Sequence, residues 1–288
     1  MKDFIRAISD SLKKKRSQSL SHVESCRQGQ PGMREPKLPR IPHCDALINK
    51  SGFRFREDLK ILSVANIVDD MIRLKRELAE KNLKFTTWMG NFTSHNEDKE
   101  MEKLWEDAWV LAHSDAKAGT RILDAGGAST ILSFYLASKG CEVSVIDSDW
   151  LDVGLIANAV AVSRAMNWKM DVISGDITHP LPYPAEHFDF VFCICVLEHL
   201  TSQQRKKAMK NLAACLKPGG LMGLTVDYDI ERGGDKGLRF RDRDKIDNDL
   251  ILPSGLAVYG NDHPIDEYDE RFFLGALILK KGDRPDEN

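Results

Sequence analysis

The chain has 288 residues, of which 42% are apolar and 30% charged, and its formal net charge is −3. This balance supports a sizeable core and gives no global nucleic-acid charge signature. No apolar run reaches the roughly 20 residues of a membrane helix and no secretory signal opens the chain, so a cytoplasmic location is expected.

Residues 1–45 form a first region. Phe4, Ile5, Ile8 and Leu12 share one helical face, and Lys13, Lys14, Lys15 and Arg16 follow. Two readings stand: weak contact of residues 1–20 with an anionic membrane surface or partner, or a solvated tail. The Pro- and Gly-rich run "RQGQPGMREPKLPRIPHC" reads as an extended linker. Residues 46–118 read as a helical cap. In one helix Leu62, Ile67, Met71 and Leu74 form the apolar face. In the next, Ser94 is a candidate cap, and Met101, Leu104, Trp105, Trp109 and Leu111 give the apolar side. The two tryptophans either wall a site, holding a cation by cation–π attraction, or pack in the core.

From residue 119 to 282 strand and helix alternate. "RILDA", "EVSVID", "MDVISGD", "FDFVFCICV" and "LMGLTVDY" read as strands, with "RFFLGALILKKG" a later one. Helices lie between them, and "SQQRKKAMKNLAACLKPGG" is expected to stop at Pro218 and its glycines. The pattern predicts an α/β fold: a doubly wound, mainly parallel seven-stranded sheet with an N-terminal helical extension. A substrate loop is expected at about 229–270, and residues 283–288 read as a disordered tail. Cys26, Cys44, Cys141, Cys193, Cys195 and Cys215 form no CxxC pair and no zinc pattern, so they read as small buried hydrophobes and no metal is expected.

The strand ends carry the chemistry. Asp124 closes the first strand and Gly126–Gly127 turn at once into a helix. The turn is neither GxGxxG nor a P-loop, and it holds no cation for a pyrophosphate. Asp147 ends the second strand, 23 residues after Asp124, where an acid accepts from ribose hydroxyls. Asp176 ends the third strand, suited to an adenine amine, with Ile177 beside it to pack on the ring. Three acids at successive strand ends frame an adenosine whose remaining part is cationic. For each acid the bland alternative is a helix cap or a solvated loop carboxylate.

"ILDAGGAS", "VIDSD", "SGDI", "FDFVFCICVLEHL" and "LKPGGLMGLTV" resemble, in order and spacing, the class I S-adenosylmethionine-dependent methyltransferases, over roughly residues 119–230. The turn departs from the family's GxGxG in its third small position. The resemblance implies S-adenosylmethionine as cofactor. Asp124, Ala125, Gly126 and Gly127 would serve its methionine portion, Asp147 and Ser148 its ribose, Asp176 and Ile177 its adenine, and Cys195 and Val196 its sulfonium end. For an oxygen acceptor a base is useful. His199, after Glu198, is a candidate, or the pair shapes the pocket only. Asp227 with Tyr228, and His263 with Tyr259 and Asp262, are further candidates. "CVLEHL" replaces the polar-Pro-Pro-aromatic motif of enzymes that methylate nucleic-acid amines, so nucleic acid is disfavoured. A small-molecule, sugar or lipid-linked acceptor is expected, on oxygen rather than nitrogen. The alternatives are an NAD-dependent dehydrogenase or epimerase, and a non-catalytic nucleotide-binding scaffold or partner subunit.

Overall fold

The computed structural model describes residues 50–52, 58–86, 92–93, 101–149, 152–228, 243–260, 265–267 and 273–283. The basic segment, the linker, Ser94, Asp262, His263 and residues 284–288 lie outside them.

After β1 (Lys50–Gly52) comes α1 (Leu62–Glu80). Val64, Ile67, Val68, Met71, Leu74 and Leu78 recur at three- and four-residue spacing and are all buried. Leu62, expected on that face, is 69% exposed. It occupies the first position of the helix, ahead of the stripe. Strands β2 (Phe85–Thr86) and β3 (Phe92–Thr93) pair with each other, and α2 (Met101–Ala112) follows. Every residue of α2 from Leu104 to Ala112 is buried, including Glu106 and Asp107. The helix lies between α1 and the sheet. Its close approach to the sheet depends on Gly223, where a Cβ would press on Phe192 and Val110.

The wound unit then runs through β4 (Arg121–Ala125), α3 (Ile131–Ser138), β5 (Glu142–Asp147), α4 (Leu155–Met166), β6 (Met170–Ser174), β7 (Phe188–Ile194), α5 (Ser202–Cys215) and β8 (Leu216–Tyr228). Short strands β9 (Ala257–Val258) and β10 (Ile265–Glu267) precede β11 (Phe273–Lys280). Among the described residues the sheet order is β10-β1-β11-β8-β7-β4-β5-β6, with β9 on β11. Strands β8, β7, β4, β5 and β6 are parallel, and β11 is antiparallel to β8. This is the expected doubly wound α/β fold, with β1, β9 and β10 as short additions at its antiparallel edge.

Local signals explain the helix ends. Thr201 and Gln204 make a capping box at the start of α5. Asn167, in the left-handed region, closes α4. The expected stop of α5 at Pro218 is corrected: the helix ends at Cys215, and Leu216 already pairs with Phe188. Leu216 is buried in the core, and the Pro218–Gly220 stretch absorbs a register shift between the Phe188 and Phe190 pairings. One apolar layer, from α1 to α4, covers one side of the sheet. The other layer comes from α5 and helical turns at 243–254. Trp105 and Trp109 belong to the first layer. Their rings stack 5.8 Å apart, and Trp105 Nε1 donates to Asp58 at 2.8 Å, so they are core residues rather than a wall.

No helix among the described residues is long and apolar enough to cross a membrane.

Candidate functional site

In an open wound sheet, ligands bind beyond the carboxyl ends of the strands, where the strand order reverses. Here that point lies at β4, between β5 and β7. The pairings Asp124 with Phe192 and Ala125 with Ile146, and Asp147 with Ser174, bring the ends of β4, β5, β6 and β7 to one edge.

The turn after β4 is tightly fitted. Gly126 has φ of 88° and gives its N–H to Ile146 O at 2.8 Å. A Cβ there would overlap Val196, the residue that leaves β7. A Cβ on Gly127 would overlap the Asp124 carboxylate. Both positions therefore require glycine, the first for its dihedral as well. Asp124 lies beneath the turn rather than along its open side. It accepts from Ser133 Oγ at 2.6 Å and from Thr130 Oγ1 at 3.5 Å. Burial, reinforced by Asp147, raises its pKa to about 7 despite those hydroxyls.

Sequence reading missed Ser129. It has φ of 64°, a conformation ordinarily left to glycine, and is fully buried. Its hydroxyl donates to Leu155 O at 2.6 Å and accepts from Asn158 Nδ2 at 3.0 Å, while its carbonyl accepts from Thr86 N at 2.8 Å. These bonds hold the turn to α4 and β2 without a third glycine. The only sequence signal is a small polar residue at the helix entrance.

Asp147 is 7% exposed. Its Oδ2 accepts from Ala128 N at 3.2 Å and its Oδ1 from Asp149 N at 2.8 Å. With the Ser148 backbone also acting on it, the carboxylate still keeps acceptor capacity for another donor. Burial raises its pKa. Ser148, next along, is exposed. Asp176 is more exposed. It accepts from Thr178 N at 2.8 Å and pairs with His179 at 3.2 Å. Slight burial acts to raise its pKa, but the Thr178 and His179 contacts outweigh it and bring it below the usual value. Ile177 is buried in the core, with its carbonyl held by Asn211.

At the end of β7, Cys195 has φ of 53°. Its N–H reaches Thr225 O at 3.0 Å, and its Sγ–H donates to Glu106 Oε2 at 2.9 Å. The same oxygen accepts from Thr225 Oγ1 at 3.5 Å and Lys103 Nζ at 3.1 Å. Sequence reading did not single out Glu106 or Asp107. In the fold they are buried behind this edge, and burial, with the Glu106 and Asp124 charges, holds the Asp107 pKa well above the usual range. A single helical turn, Leu197–His199, leads on from Val196, with Glu198 buried and His199 exposed. Asp227 lies near the end of β8, paired in register with Leu274. The structure thus gathers Asp124, Ala125, Gly126, Gly127, Asp147 and Val196 closely, with Cys195 adjoining. Asp176 stands further out on the rim.

A family model for a methyltransferase domain matches residues 122–220. Among curated relatives, malonyl-[acyl-carrier protein] O-methyltransferase of Enterobacter lignolyticus is 28% identical over 136 residues, 47% of this chain and 49% of that protein. The ubiquinone biosynthesis O-methyltransferase of Azoarcus sp. is 30% identical over 112 residues, 39% of this chain and 46% of that protein. The matched stretch spans less than half the length of these relatives. In fold the chain is similar to the [4+2]-cyclase SpnF, with a TM-score of 0.50 and 15% identity, over 74% of this chain and 93% of that one. The glycine turn with its strand-end acids falls within the residues that the methyltransferase-domain model matches.

Proposed function

We propose that this chain transfers a methyl group from S-adenosylmethionine to an oxygen of a small-molecule acceptor. The observation that carries the reading is Asp147, a buried carboxylate with spare acceptor capacity, fixed through Ala128 N to a turn that excludes any Cβ at Gly126 and Gly127. The residues fit that donor. The turn lets the backbone come close, it carries no cation for a phosphate, and the buried carboxyls near it suit a cationic ligand. Oxygen as the acceptor rests on the O-methyltransferases among the relatives.

When bound, the donor supplies an electrophilic methyl group on sulfur and a neutral thioether leaving group. The chain's part is to hold and align. Asp147 accepts from the ribose hydroxyls, with Ser148 beside it, and Asp176 and Ile177 serve the adenine. Gly126, Gly127 and the Cys195–Val196 corner shape the methionine end. His199, one turn past that corner, accepts the acceptor's hydroxyl proton. Glu198 is buried beside it. Asp227, near the end of β8, is a further candidate for the acceptor's proton. Small aromatic, sugar and lipid-linked alcohols are the acceptor classes to test.

Calorimetric titration with S-adenosylmethionine, S-adenosylhomocysteine and NAD decides first. Binding of both sulfur nucleosides and not NAD is expected; NAD binding alone would favour a dehydrogenase. Turnover with a panel of phenols, sugars and carboxylic acids then separates an enzyme from a scaffold. His199→Ala is expected to lower kcat by about 10²- to 10⁴-fold for a hydroxyl acceptor. An unchanged kcat would remove His199 from the proton transfer.

A further inference from the structure

Asn211 sits inside α5, where its residue type is a weak helix former because the side chain competes for backbone partners. Here that side chain leaves its own helix. Its Nδ2 donates to Ile177 O at 2.9 Å and to His179 O at 2.8 Å, 34 and 32 residues back in the chain. Both partners are carbonyl oxygens, so only the nitrogen end of the carboxamide satisfies them, and its two N–H groups act together. The two carbonyls belong to the turn that follows β6.

The other bonds of this turn come from the strand edge and from the turn itself. Gly175 N donates to Asp147 O at 2.9 Å, which ties the start of the turn to the end of β5. Thr178 N donates to Asp176 Oδ1 at 2.8 Å, and His179 N to Asp176 O at 3.0 Å. Ile177 is buried in the same apolar layer as Ala208, Met209 and Leu212 of α5. Apolar packing sets how deep the turn sits but is non-directional. The paired bonds from Asn211 set its orientation.

Orientation matters because of what the turn carries. The Asp176 side chain is 50% exposed. It accepts from Thr178 and pairs with His179. A carboxylate has about four acceptor sites, so capacity remains for a further donor. An acceptor on an exposed turn binds well when its direction is set before the ligand arrives; otherwise the ordering of the turn offsets the gain.

We propose that Asn211 is a positioning residue of the donor site: its carboxamide holds the 176–179 turn so that the Asp176 carboxylate meets the exocyclic amine of the donor's adenine. The proposal rests on the methyltransferase reading above and on the adenine role given there to Asp176. Asn211 acts through Asp176 and not by contact with the donor.

The probes are S-adenosylhomocysteine and its analogue with purine in place of adenine, which lacks the exocyclic amine. Titration calorimetry gives the affinity of each for the unaltered protein, Asn211→Ala, Asp176→Ala and the double variant. Alanine is the better helix former, so the substitution leaves α5 intact. The unaltered protein is expected to prefer the amine-bearing ligand by roughly 5- to 20-fold. Asn211→Ala is expected to weaken S-adenosylhomocysteine by about fivefold and to leave the purine analogue within about twofold. Retained binding of the analogue serves as the control for folding. In the Asp176→Ala background, Asn211→Ala is expected to change either affinity by no more than about twofold, because the group it positions is gone. An equal loss for both ligands, no loss for either, or an undiminished loss in the Asp176→Ala background overturns the proposal. Equal binding of the two ligands by the unaltered protein overturns it as well. If the unaltered protein binds neither ligand, the methyltransferase reading fails instead, and the two failures are thereby distinct.

Discussion

Asp124 and Asp147 end neighbouring parallel strands, yet their surroundings give them different work. Asp147 keeps acceptor capacity toward the open edge, whereas Asp124 is spent beneath the turn on Ser133 and Thr130. Asp147→Ala is therefore expected to weaken S-adenosylmethionine and S-adenosylhomocysteine alike, by roughly 10- to 100-fold, as titration calorimetry would read. Asp124 should instead show itself in stability. Its carboxyl, raised by burial to about 7 from 3.8, binds its proton more tightly in the folded chain than in the unfolded one. Stability then falls as pH rises from the ordinary carboxylate range to about 7 and levels off above it, a contribution on the order of 4 kcal/mol. Asp124→Asn is expected to flatten that fall, leaving the part due to Asp107 and Asp147, whose pKa values are also raised. Urea midpoints at pH 5, 6, 7 and 8 would show it; an unchanged slope would place the Asp124 proton elsewhere. Both acids were legible in the sequence because each closes an apolar strand before a turn. Ser129 was not, because its left-handed backbone depends on partners in α4 and β2, far along the chain.

Elements show the same division. The strands and α1 were legible because their periodicity follows burial on a face. Helix α2 was only half legible: its apolar side was found, but Glu106 and Asp107 were not singled out, since charges ordinarily mark a solvent face. That rule fails where a helix is covered on every side and its acids meet Lys103, Cys195 and Thr225. The helical turns at 243–254 show a second buried ion pair. Asp249 accepts from Arg205 Nε at 2.9 Å and Nη2 at 2.7 Å, and from Ser202 Oγ at 2.6 Å, tying these turns to α5. Asp249 burial works against the charge, but the Ser202 and Arg205 contacts prevail and lower its pKa. Removing one partner leaves the other charge buried, so Asp249→Ala is expected to cost about 3–5 kcal/mol. Hydrogen exchange would report the loss first at 243–258, before the parallel strands. Uniform loosening across the sheet would show that the pair supports the whole domain rather than the docking of this segment.

At the scale of the molecule, the sheet order puts the ends of β4, β5 and β7 side by side although α3, α4 and β6 separate them in sequence. Alternating strands and helices with right-handed crossovers made that juxtaposition legible. The edge strands β1, β9 and β10 were not, since two or three residues carry no period of their own and are fixed by pairing alone. The cyclase SpnF shares this fold, so the architecture alone does not choose the chemistry. Ligand linkage does better. A ligand that binds only the folded chain stabilises it by an amount set by its concentration relative to Kd, about 2.7 kcal/mol at a hundredfold excess. S-adenosylhomocysteine is expected to raise the thermal midpoint progressively with its logarithm of concentration, and NAD to leave it unchanged. On the ribose role proposed for Asp147, Asp147→Ala should shift that rise to roughly 10- to 100-fold higher concentration while folding on its own. A rise that keeps its concentration dependence in Asp147→Ala would place the nucleoside away from the β5 end and overturn the reading of the strand-end acids as one site.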